Sequence, residues 1–113
     1  MVPGETYLAN FPYGDSAGMK LRPVLLLTGA LGNVPEYLVA YISSVVPPTL
    51  LKSDIGIDPA NPQYATVRLK VKSVLRLHKL ATIHESSLVR KLGCVSPTLW
   101  ADVEEILREM LGL

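Results

Sequence analysis

The stretch Lys20-Leu21-Arg22-Pro23-Val24-Leu25-Leu26-Leu27-Thr28 decides how this chain folds. Val24 to Leu27 is apolar without alternation, the pattern of a strand covered on both faces. Proline fixes φ and lacks an N–H, so Pro23 is expected as the first residue of a strand over 23–28. Arg22 then stands on the rim of that buried strand. The loop Phe11-Pro12-Tyr13-Gly14-Asp15-Ser16-Ala17-Gly18 comes shortly before it. An arginine carries five donors in a fixed fork and keeps its charge at any working pH, which suits a phosphate oxygen. Without further context, a surface arginine beside a strand start is the simpler reading.

Outward from this strand the chain reads as short extended segments. Residues 6–10 form a first strand, 11–21 a loop, and 29–35 a turn-rich connection. Residues 37–44 form a third strand, with Leu38, Ala40 and Ile42 on one face and Val39, Tyr41 and Ser43 on the other. Pro47-Pro48 marks a loop, and 53–58 reads as a short edge strand. Residues 58–62 carry turn chemistry, 67–71 are extended or loop, and 73–83 form a long strand. Only the end is helical. Ser96 can cap, Pro97 occupies the first helical position, and Gly112 stops the helix. Leu99, Val103, Ile106 and Met110 recur at helical spacing, widened by Trp100, Leu107 and Leu111. Trp100 therefore reads as a packing residue. Many short strands followed by one helix predict a mainly β fold, a small barrel with a helix packed on it. Its edge strands need cover, and pairing two copies as a homodimer would supply it.

The 113 residues suit one domain, 1–113, and the 49% hydrophobic and 19% charged content predicts a folded chain. The longest apolar run, about five or six residues, falls well short of the roughly 20 a membrane helix needs, so no membrane role is expected. The N-terminus Met1-Val2-Pro3-Gly4-Glu5 does not read as a secretory signal. Cys94 is the single cysteine, which excludes an internal disulfide, suits a reducing cytoplasm and is expected to be a small buried thiol. Net charge is only +1. Its distribution says more: Lys52 to Lys91 carries eight basic residues against three acidic ones, whereas the last helix is acidic. A basic middle attracts phosphate, and it is equally the pattern of lysines protecting an exposed strand.

No phosphate-binding Gly-rich loop and no Cys/His pair at zinc spacing occurs, and no metal or other cofactor is expected. A set of donors and hydroxyls remains: Arg22, Ser43, Ser44, Arg76, His78 and Lys79, with Lys20 beside Arg22. Such a set suits a phosphodiester, whose transition state gathers negative charge that fixed donors stabilise. RNA brings its own nucleophile, the 2′-hydroxyl. Arginine is too weak a base to take its proton, so its role is electrostatic. His78 has the pKa of a base, although a lone histidine on a strand is more often structural.

The order Phe11-Pro12-Tyr13-Gly14-Asp15 … Lys20-Leu21-Arg22-Pro23-Val24-Leu25-Leu26-Leu27 resembles the N-terminal signature of the MazF/PemK toxins of type II toxin–antitoxin systems. Val39-Ala40-Tyr41-Ile42-Ser43-Ser44 is similar to that family's third-strand motif. Ser73 to Ile83, followed by Leu92-Gly93-Cys94-Val95-Ser96, resembles its C-terminal half. The resemblance implies a dimeric SH3-like β-barrel of the MazF/CcdB type. It further implies metal-independent cleavage of single-stranded RNA to 2′,3′-cyclic phosphate and 5′-hydroxyl ends, and an acidic antitoxin partner. The family's arginine falls on Arg22 and its hydroxyl on Ser43, making these the expected catalytic residues. Lys20, Ser44, Arg76, His78 and Lys79 are the expected RNA contacts. Lys79 and Ala81 stand where many members carry Gln and Arg. Asp15 is expected to shape its turn. A CcdB-like binder of a protein target such as gyrase, or an inactive antitoxin-binding copy, are the competing expectations.

Overall fold

The computed structural model describes residues 1–11 and 20–113. Strands β1 (Glu5–Phe11), β2 (Lys20–Leu26), β3 (Glu36–Ser43), β4 (Asp54–Ile57), β5 (Ser73–His84) and β6 (Leu88–Cys94) form one antiparallel sheet in the order β4-β5-β3-β2-β1-β6. Short 3₁₀ segments occupy Pro62–Val67 and Glu85–Ser87, and helix α1 (Pro97–Leu111) follows β6. The loop containing Asp15 lies outside the described residues. Among those described, no helix is long and apolar enough to cross a membrane.

β2 is buried as its apolar run dictates. Leu25 faces one core with Ala40, Ile42, Leu75, Leu77, Leu99 and Val103. Val24 and Leu26 face a second with Tyr7, Phe11, Tyr37, Val39, Tyr41 and Ile83. The alternation read in β3 holds, since Ala40 and Ile42 belong to the first core and Val39 and Tyr41 to the second. Helix α1 covers the first face through Leu99 and Val103, with Trp100 packed beside them. Ser96 Oγ accepts from the Leu99 N–H at 3.1 Å, and Gly112 takes the left-handed cap. The apolar stripe ends early: Met110 and Leu111 are exposed, because the last turn runs past the core.

Several boundaries differ from expectation. Pro23 is the fourth residue of β2 rather than the first. It stands opposite Leu8 of β1, while the ladder to β3 begins one residue later at Val24↔Tyr41. Its missing N–H therefore interrupts no β2–β3 bond. In β5 the register jumps from Ala40↔Leu80 to Tyr41↔Arg76, so Leu77, His78 and Lys79 form a bulge. Bulges bend a strand and re-aim side chains. β6, absent from the sequence reading, has two register irregularities against β1 and no clean alternation. Cys94 ends this edge strand and is exposed, not buried.

The sheet is open among the described residues: its end strands β4 and β6 do not pair, so the expected barrel does not close by strand pairing. The 3₁₀ segment Pro62–Val67 covers the β6 end instead. Gly93 of β6 lies so close to it that a Cβ would collide with the Thr66 carbonyl and the Arg68 side chain. The buried Thr6 hydroxyl donates to the Val67 carbonyl at 3.0 Å. Arg68, which ends the segment, has φ 62° and ψ 40°, a left-handed conformation rare outside glycine.

Candidate nucleic-acid interface

Antiparallel partners project to the same side of a sheet. The registers therefore place Asp54, Arg76, Tyr41, Val24 and Tyr7 in one row across five strands, on the face opposite the helix. Tyr41 is the centre of this row. The Phe11 ring stacks on it at 5.3 Å with an interplanar angle of 7°. Arg22 Cζ lies 5.7 Å from the Tyr41 ring centroid and Lys79 Nζ lies 6.0 Å from it. The negative face of an aromatic ring attracts cations at this range. The β5 bulge brings Lys79 there.

Arg22 is unusual in one respect: its Nε is buried and has no hydrogen-bond partner among the described residues. A buried donor left unmade costs about 1–3 kcal/mol, so such groups are rare in folded proteins and concentrate at functional sites. Continuing the β2–β3 register by two residues sets Arg22 opposite Ser43. Ser43 is buried. Its Oγ accepts from the Val45 N–H at 3.1 Å and makes a long, 3.4 Å contact to the Val45 carbonyl. The hydroxyl proton is thus weakly held and can be redirected. Lys20, opposite Phe11, is exposed at the end of β2.

Arg76 and His78 are placed differently. Arg76 Nε donates to Asp54 Oδ1 at 2.9 Å and its Nη2 to Oδ2 at 3.3 Å. The Asp54 side chain is fully buried and also accepts from the Leu51 N–H at 2.9 Å. Burial alone would raise its pKa. The Arg76 hydrogen bonds, the Leu51 N–H and the charges of Arg76 and His78 outweigh that and hold it below its ordinary value. His78 Nδ1 lies 2.7 Å from Ser53 Oγ and 3.9 Å from Asp54 Oδ1. Arg76 and His78 are thus bound into a β4–β5 network.

Ser44, one residue beyond Ser43, turns to the other side of the sheet. There it borders a concavity of about 270 Å³, with Leu8, Leu21, Ile42, Leu69, Val71 and Leu92 as apolar lining. Arg68, Lys70 and Arg90 line it too, and Arg22 borders it at the strand edge. No three-residue His, Cys, Asp or Glu cluster able to hold a metal occurs among the described residues.

The structure therefore brings Arg22, Ser43 and Lys79 to one face, holds Arg76 and His78 beside it through Asp54, and parts Ser44 from them. The reading of the sequence missed Tyr41 and Asp54 as site residues. Alternation already placed Tyr41 with Ser43. No local signal gave the pairing of Asp54 with Arg76, which are 22 residues apart.

A sheet face with two cations over an aromatic ring, and one guanidinium Nε without a partner among the described residues, has the chemistry to attract a polyanion. The family model of PemK-like, MazF-like toxins of type II toxin–antitoxin systems matches residues 3–111, and the chain belongs to that family. Solved structures agree on the fold. The Mycobacterium tuberculosis toxin MazF-mt6 is 23% identical with a TM-score of 0.71, the alignment covering 96% of this chain and 97% of that one. A mycobacterial endoribonuclease, solved in complex with its cognate antitoxin, is 16% identical with a TM-score of 0.70 over 100% and 96% of the two chains. A further M. tuberculosis toxin is 25% identical with a TM-score of 0.61, covering 78% and 90%. Comparison with curated proteins gives no match.

Proposed function

We propose that this toxin, a single domain over 1–113, is a sequence-specific endoribonuclease that cleaves single-stranded RNA in the cytoplasm and so arrests growth. Arg22 and Ser43 are its catalytic residues. The 2′-oxygen of one ribose attacks the adjacent phosphorus and the 5′-oxygen of the next nucleotide leaves. One proton is lost from the 2′-hydroxyl and one is gained by the leaving oxygen. The products are a 2′,3′-cyclic phosphate and a 5′-hydroxyl. No metal takes part, because the nucleophile belongs to the substrate and the charge is met by a guanidinium.

The observation that carries this reading is the buried Nε of Arg22 above Tyr41, which has no partner among the described residues. A phosphoryl oxygen would satisfy it, most fully when charge accumulates in the phosphorane. Ser43, across the strand from Arg22, orients the phosphate or the 2′-hydroxyl by turning its proton away from the Val45 carbonyl. Lys79 and Lys20 hold neighbouring phosphates, and Tyr41 offers a ring for stacking. Arg76, His78 and Ser44 contribute at the margins. A homodimer and an acidic antitoxin complete the expected assembly. In support, the family is one of toxins, and the mycobacterial structures of the same fold include endoribonucleases.

The test is incubation of a long single-stranded RNA in excess EDTA with wild type and with Arg22→Ala. Cuts at a few short sites, ending in cyclic phosphate and lost in the variant, are expected. Intact RNA across varied sequences would move the reading to a toxin that binds a protein target.

A further inference from the structure

We infer that Ser53 and His78 are positioning residues, which together hold the β5 bulge in the form that carries Lys79 over Tyr41. The consequence for nucleic acid rests on the nuclease reading above; the positioning itself does not. Continued regularly from Ala40↔Leu80, the β3–β5 ladder would set Lys79 opposite Tyr41. The observed ladder sets Arg76 there instead and throws out Leu77, His78 and Lys79. The bulge thereby brings two cations to the position of Tyr41. Arg76 fills the ladder slot and turns to Asp54, while Lys79 keeps its Nζ 6.0 Å from the ring centroid.

The residues of a bulge are left out of the ladder, and a shift by one residue sends a side chain to the other face. Here each residue ahead of Lys79 has a tie of its own. Arg76 is bound to Asp54. The Leu77 N–H donates to the Ser53 carbonyl at 2.9 Å, and the Leu77 side chain is buried in the core beneath α1. His78 Nδ1 meets the hydroxyl of the same serine at 2.7 Å. Ser53 thus holds two successive residues of the bulge, one by main chain and one by side chain. Its own turn is closed by the Asp54 N–H on the Leu51 carbonyl at 3.0 Å and the Leu51 N–H on Asp54 Oδ2 at 2.9 Å. Lysine is a point charge on a flexible stem, so the reach of Nζ is set by the backbone beneath it. His78 fixes that backbone one residue before Lys79. The geometry gives His78 a role other than proton transfer, because Nδ1 faces Ser53 and, at 3.9 Å, Asp54 Oδ1. A serine hydroxyl donates to a neutral ring nitrogen and accepts from a protonated one, so the tie holds in either state.

Two readouts on the same variants test this. The first is the NMR shift of the Lys79 ε-methylene, displaced by the Tyr41 ring and assigned through its absence in Lys79→Arg. It should move to the free-lysine value in His78→Ala and in Ser53→Ala. It should stay displaced in His78→Asn, whose amide lies close to the place of Nδ1. Ser53→Ala, in a turn outside the strands, keeps the test decisive if His78→Ala fails to fold. The second is fluorescence anisotropy over a range of salt with a short single-stranded DNA, which lacks the attacking hydroxyl. His78→Ala should bind it about threefold or more weakly, with a salt slope less steep by about 0.7, the share of one phosphate. Lys79→Ala should do the same, and the two changes together should add nothing further. In RNA cleavage the loss should fall on KM, with kcat kept within about twofold. A Lys79 signal that neither alanine moves would overturn the proposal. So would a fall in kcat of about tenfold or more in His78→Asn with one limb of the pH profile gone, which would make His78 the base. A wild type that neither cuts RNA nor binds the DNA would sink the nuclease reading, and the Lys79 shift would still decide the positioning.

Discussion

Two arginines serve the same face of the sheet in opposite ways. Arg76 is paired across the ladder with Tyr41 and locked to a fully buried carboxylate by two hydrogen bonds. Arg22 lies over the same ring with a buried Nε that no described residue satisfies. Both side chains are partly buried, and among the described residues only Arg76 is given a counter-charge. A cation paired inside the fold holds β4 to β5. A cation left unpaired keeps its affinity for something outside the chain. On the proposed function, stability and activity are thereby divided between two residues of the same type, one on each side of Tyr41.

Removing Arg22 should have the largest effect on activity. Arg22→Ala is expected to slow RNA cleavage by roughly 10²–10³ or more, the range for losing a preorganised donor to a developing oxyanion. Its thermal unfolding should shift little, because no hydrogen-bond partner of Nε among the described residues is orphaned. A large fall in melting temperature with cleavage intact would break the division. Asp54→Ala should do the reverse. It leaves Arg76 without its counter-ion and is expected to cost about 3–5 kcal/mol in denaturant unfolding, with the surviving folded fraction still cutting RNA.

Acid sharpens the same contrast. The Asp54 carboxyl sits below its ordinary value of 3.8, so its stabilisation is fully present above that pH. It is lost as pH falls through the lower, folded value. Glu5, held down chiefly by its hydrogen bond to Lys91, acts in the same sense. Asp54→Asn should therefore flatten the acid limb of stability below about pH 4, read by circular dichroism, whereas Arg22→Ala should leave that limb unchanged. Smallest of all, Ser43→Thr should keep cleavage within a few-fold while Ser43→Ala lowers it by about tenfold or more, measured on the same RNA. Equal rates for the two would remove Ser43 from the chemistry.

Much of this was legible along the chain. The unbroken apolar run Val24 to Leu27 announced a strand with both faces covered, the alternation of β3 sorted Ile42 from Tyr41 and Ser43, and Ser96, Pro97 and Gly112 bounded the helix. These are signals between residues a few positions apart. β6 was not legible, because its two register irregularities erase the period by which a strand is recognised. Cys94 was misjudged for a related reason: its exposure follows from standing at the end of an edge strand.

The sequence by itself determined the elements, the two-sided burial of β2 and the kinds of side chain available for a phosphate. Which of those side chains are spoken for was decided only by tertiary structure. Whether an arginine is a structural tie or a waiting donor depends on what lies within hydrogen-bond reach. For Arg76 that partner is Asp54, supplied across the β4–β5 ladder from 22 residues away. For Arg22 the buried Nε has no partner among the described residues, and the guanidinium lies over the ring of Tyr41 on β3. Local sequence sets a charge's identity, and only long-range packing sets its solvation and its partners.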